Sequence, residues 1–148
     1  MLATVAEGDA PAPSIRTDEP RSSGKWIGSA SVPGAMGYTD IGIFLAVMEV
    51  GAGLLKLRVR PAILRMMFGI ENLRAVPGPS TVIYPAHKFG QAGIEVRREG
   101  EPSYYFWTDN RDALLTSLAG AGFRVSTDEA AMSYRSANRA LRSARGTK

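Results

Sequence analysis

The sequence predicts a mainly β, α+β domain. Seven short strands form a barrel or a strongly bent antiparallel sheet, a C-terminal helix caps it, and a further basic helix follows. Three observations predict this. Sixteen Gly and nine Pro are spread along 148 residues as punctuation, which divides the chain into many short elements. Between Ile41 and Thr108, apolar runs recur at strand length, one of them in strict period two. After Asp109 the apolar spacing becomes that of a helix.

The elements follow in order. Residues 1–35 read as a disordered tail, because Glu7–Ser14 and Thr17–Gly24 combine Pro, Ser and charge with few apolar side chains. Such a stretch buries too little surface to offset its conformational entropy. Trp26 and Ile27 are exceptions and dock on the domain or on a partner. Residues 36–126 form the domain. Ile41–Val50 is a buried strand that ends at Gly51-Ala52-Gly53. In the next run Leu55, Leu57 and Val59 alternate with Lys56, Arg58 and Arg60, giving one buried and one basic face. The two runs make a hairpin with a short Gly-rich loop.

Pro61 interrupts. Ile63–Phe68 and Ile70–Val76 are the third and fourth runs, Thr81–Tyr84 the fifth and Ile94–Arg97 the sixth. Glu99-Gly100-Glu101-Pro102 turns the chain into a seventh, Ser103–Thr108, whose aromatics suit a pleated surface. Its alternation sets Tyr105 and Trp107 on one side and Tyr104 and Phe106 on the other. Asp109 then caps a helix carrying Asp112 in its first turn and a stripe of Leu114, Leu115 and Leu118, with stop signals at Gly120 and Gly122. A last helix is expected from about Asp128 to Ala144, capped by Ser126 or Thr127, within a basic segment 127–148.

Composition narrows the chemistry. There is no Cys, which excludes disulfides, thiol nucleophiles and Cys-ligated metals and mildly favours the cytoplasm. The acidic, polar start does not look like a signal peptide, and the most apolar run, Ile41–Met48, is far shorter than the ~20 residues of a spanning helix. The net charge is +4, and the C-terminal segment holds most of the excess: five basic against two acidic side chains in residues 127–148.

Ala46-Val47-Met48-Glu49-Val50, the Gly loop and Leu54-Leu55-Lys56-Leu57-Arg58 resemble the first hairpin of bacterial pleckstrin-homology (PH)-like domains. Tyr105-Phe106-Trp107-Thr108 with Leu114, Leu115 and Leu118 to Gly122-Phe123 is similar to their last strand and capping helix. The resemblance spans roughly residues 39–125. It implies a barrel that binds lipid headgroups, peptides or proteins. Lys56, Arg58 and Arg60 match the basic residues of the lipid-binding members, whereas the loop Gly51-Ala52-Gly53 is uncharged, unlike theirs.

No constellation announces catalysis, a metal or a cofactor. His87 is the only histidine and, beside Lys88, reads as a surface loop residue. Asp109 and Asp112 read as helix-capping residues, and Glu99 and Glu101 as solvated turn residues. Pro77-Gly78-Pro79-Ser80 lacks the Lys and the helix of a phosphate loop. Three binding candidates remain: the arginines Arg135, Arg139, Arg142 and Arg145, the stripe Lys56, Arg58 and Arg60, and the aromatic pair Tyr105 and Trp107. The expectation is a non-catalytic binding or scaffolding module that recognises a protein partner or itself. The alternative is an electrostatic binder of nucleic acid or an anionic membrane surface through the Arg-rich helix.

Overall fold

A computed structural model describes residues 24–146. Nine strands and three helices follow in the order β1 (Gly24–Gly34), β2 (Gly37–Gly51), β3 (Leu54–Val59), α1 (Ala62–Phe68), β4 (Leu73–Ala75), β5 (Thr81–Lys88), β6 (Gln91–Arg98), β7 (Tyr104–Trp107), α2 (Arg111–Gly120), β8 (Arg124–Val125), β9 (Ala130–Ala131) and α3 (Tyr134–Gly146). The strands form one curled, open sheet in the order β4-β3-β2-β1-β7-β6-β5-β8, with β9 also on β5. The bent sheet is as expected; it is not closed, since β4 and β8 end the order unpaired with each other.

Residues 1–23 of the expected tail lie outside the described residues. Gly24–Gly34 corrects the rest of that expectation, because it is a central strand pairing with both β2 and β7. Trp26, Ala30 and Val32 face the core at period two. Gly28, in a stretch that read as linker, is needed by the close approach of β7: a Cβ there would stand 2.3 Å from the Trp107 carbonyl oxygen, and one on Gly93 in β6 only 2.0 Å from that of Phe106. Glycines therefore flank β7 on both sides, where the neighbouring backbone comes too close for a side chain.

Runs one, two and four to seven fall on strands, and β2 and β3 pair as the expected hairpin around Ala52-Gly53. The third run, Ile63–Phe68, is not a strand but lies in helix α1, which Gly69 ends in the left-handed conformation. Nor is the run from Ile41 buried throughout. Between the pairs Gly28↔Ala46 and Ala30↔Ile41, β2 spends Gly42-Ile43-Phe44-Leu45 against Ser29 alone. This bulge turns Ile43 and Phe44 to solvent, with Phe44 at φ 69°.

The main core fills the concave side of the sheet: Met48, Leu55, Leu57, Ile83, Ile94 and Phe106, closed by Leu114 and Leu118 of α2 and by Phe123. The N-cap of α2 is Asn110, with Asp109 outside the helix, so the expected Asp109 cap shifts by one residue. A second, smaller core lies across the sheet, where Met132, Ala137 and Tyr134 pack on Tyr38, Tyr105 and Trp107. The last helix starts later than expected: residues 130–131 pair with β5, and the Ser133 carbonyl accepts the first intrahelical bond, from the Ala137 amide.

Candidate functional site

Trp107 and Tyr105 stack with ring centroids 5.7 Å apart, and Tyr38 meets Tyr105 edge-on. Both Tyr105 and Trp107 are buried beneath α3. This corrects their candidacy as an open contact surface: alternation placed them together correctly, but the last helix covers them.

A polar cluster at the edge of this second core fixes the helix. Lys88, 8% exposed, donates to Tyr134 OH at 2.9 Å, to Asp40 Oδ1 at 3.2 Å and to Ser31 Oγ at 3.3 Å. The Ser31 hydroxyl accepts from Trp107 Nε1 at 2.9 Å and donates to Asp40 Oδ1 at 2.6 Å. Tyr134 OH donates to the other Asp40 oxygen. Burial alone favours a neutral Lys88, but its bonds to Tyr134 and Asp40 outweigh this and raise its pKa. Lys88 therefore stays charged at neutral pH and takes no proton from Ser31, whose own proton is committed to Asp40. The cluster docks α3 on the sheet, with Ser31 fully buried beneath it.

His87 is not a loop residue. It lies on β5, exposed, with Nδ1 3.1 Å from Glu129 Oε2, and Arg111 donates to the same oxygen at 2.8 Å. The carboxyl of Glu129 is held below its ordinary range by His87 and then by Arg111. Glu99 and Glu101 stand exposed around the β6–β7 turn. Among the described residues no group of three or more His, Asp or Glu is placed to hold a metal ion.

The basic candidates fall into two sets. On β3 the alternation holds, with Leu55, Leu57 and Val59 buried and Lys56 and Arg58 on the other face. Arg58 pairs with Glu49 at 3.1 Å, which offsets part of the stripe. Arg60 is exposed and donates to the Phe44 carbonyl at 3.1 Å. On α3, Arg135, Arg139, Arg142 and Arg145 are all exposed, while Ala137 and Leu141 are buried. Arg145 reaches back to the Gly34 and Ala35 carbonyls at 2.8 and 3.3 Å.

The feature that sequence reading missed is α1. No residue of this helix is buried. Ile63, Met66 and Met67 point to solvent at 61%, 81% and 68% exposure. The helix's one charged residue is turned inward, with Arg65 donating to the Val59 carbonyl at 2.7 Å. Leu64 is the large apolar residue that packs on the main core, so α1 turns one apolar side chain in and three out. The Ala35 amide donates to Phe68 O at 2.8 Å, which sets the β1–β2 turn and its fully exposed Met36 against the end of α1. Arg60 sets the bulge of Ile43 and Phe44 against its start. The only sequence signal was the length of the apolar run, which serves a strand equally well.

No protein family, curated protein or solved structure matches this chain. The reading of its function therefore rests on this geometry.

Proposed function

We propose that the chain is a non-catalytic binding module of PH-like architecture that attaches to its partner through the apolar end built by α1, the β1–β2 turn and the β2 bulge. The observation that carries this is the outward apolar face of α1: Ile63, Met66 and Met67 stand in solvent, as do Met36 and Phe44, while Leu64 packs on the core. The reading of the architecture draws on two meanders, β1–β4 and β5–β7, joined by the pairing of β1 with β7 and followed by α2. The hairpin that carried the resemblance is the second one here, β2–β3, because Gly24–Gly34 adds a strand before it.

The test is fractionation of a whole host lysate containing the tagged chain or its Ile63→Ser/Met66→Ser/Met67→Ser variant. Thermal melting first shows that both are folded. The expected result is that the native chain travels with a soluble complex or with membranes and the variant does not. Identical fractionation of the two would remove α1 as the contact surface.

A second reading has its own observation. Arg135, Arg139 and Arg142 are exposed on one helix, as a phosphate-contacting face requires. Under that reading, association falls steeply with salt, and replacing the three arginines with Gln abolishes it while the α1 variant keeps it.

A further inference from the structure

Resting on that reading of the apolar end, we infer that its occupant is the surface of an anionic lipid bilayer, into which α1 inserts its outer face. Three observations lead there. First, the apolar side chains are protrusions from three separate segments: Met36 at a turn, Phe44 on a bulge, and Ile63, Met66 and Met67 on a seven-residue helix. A protein interface concentrates its energy where a side chain fills a pocket. Flexible, separately mounted apolar tips suit a medium that closes around them, as the headgroup–acyl boundary does for an amphipathic helix lying in its plane.

Second, cations bracket this end. Arg60 immediately precedes α1 and is tied to the bulge; Arg145 is tied to Gly34 and Ala35, beside the last residue of α1. Arg142 is exposed one turn earlier on α3. Residues 56–74 carry Lys56, Arg58, Arg60, Arg65 and Arg74 against one acid, Glu71. An apolar patch rimmed in this way complements a surface that is apolar below and anionic at the headgroups. Third, the same rim argues against a second copy of the chain, because a two-fold contact over the patch would set one cationic rim against the other.

The experiment uses the purified full chain and sedimenting vesicles, either of phosphatidylcholine alone or of an equimolar mixture with phosphatidylglycerol. The expected result is binding to the mixed vesicles and little to the neutral ones. Each of Ile63→Ser, Met66→Ser and Met67→Ser lowers the partition coefficient about tenfold. Arg60→Gln and Arg142→Gln each lower it about fivefold. Lys25→Gln, at the opposite end of β1, leaves it unchanged. In addition, Met66→Trp gives a blue-shifted emission on mixed vesicles only.

Equal binding to both vesicle types would overturn the anionic requirement, and no binding to either would overturn the inference. If vesicles fail while the α1 triple variant still loses its partner in the lysate, the apolar end remains the contact surface and its occupant is a protein. A concentration-dependent dimer that the triple variant abolishes would assign the end to a second copy instead.

Discussion

Lys88 has three ammonium protons and a partner for each: Ser31, Asp40 and Tyr134. Burial pushes the Asp40 carboxyl up, but hydrogen bonds from Ser31, Tyr134 and Lys88 more than reverse this and hold it below the usual range. A depressed folded-state pKa contributes stability that is present above the unfolded value of ~3.9 and lost as pH falls through the folded one. The raised pKa of Lys88 contributes stability that is present below ~10.4 and lost as pH rises through its folded value. The docking of α3 is therefore expected to hold across neutral pH and loosen at both extremes. Trp107 emission in a Trp26→Phe background reads this directly, with a red shift below about pH 4 that Asp40→Asn carries to neutral pH. A flat profile from acid to neutral pH would show that the cluster does not hold the helix. Lys88 was visible in the sequence only as a neighbour of His87; its partners lie on β1, β2 and α3, and no local spacing announces a contact between such distant segments. A second residue-scale expectation concerns Gly93. Gly93→Ala sets a Cβ 2.0 Å from the Phe106 carbonyl oxygen, against backbone that has no rotamer to yield. It is expected to cost about 3 kcal/mol by denaturant unfolding.

At the scale of elements, apolar pattern was a good guide where both sides of the comparison were local. The period-two run Leu54–Arg60 and the alternation of Tyr104 to Trp107 could be read because neighbouring residues alone decide which face is which. Strand β1 could not be read so easily, since its Gly28 is dictated by how closely β7 pairs beside it. Helix α1 was misread for another reason: a short apolar run fits a buried strand or a helix, and here Leu64 packs on the core while Ile63, Met66 and Met67 face solvent. That gives a sharp expectation. Because Ile63, Met66 and Met67 lose no burial in the free protein, the triple Ser variant is expected to unfold within about 0.5 kcal/mol of the native chain. A loss of several kcal/mol would mean that α1 supports the core, and its partner binding would need another explanation.

Across the whole molecule, two cores share one sheet. The larger is enclosed by strands from both halves of the chain and by α2; the smaller depends on a single terminal helix over Tyr38, Tyr105 and Trp107. The buried residues of α3 are Ala137 and Leu141, and its attachments include the cluster at Lys88, the Asn138 side chain accepting from the Tyr38 amide at 2.7 Å, and Arg145 on the β1–β2 turn. Elements held by few buried contacts open at lower free energy than the global transition. Hydrogen exchange is therefore expected to release residues 134–146 before β1, β2 and β7, and the gap between the two groups should widen as Asp40 is protonated. Deleting residues 134–148 should leave the larger core folded, with the β1–β7 amides still protected, while three aromatic rings become exposed and bind a hydrophobic dye. Since Arg145 connects α3 to the turn beside α1, the same deletion removes part of the cationic rim around the apolar end. If the deletion instead unfolds the sheet, so that its amides exchange with those of α3, the two cores form one cooperative unit and α3 belongs to the domain as fully as α2.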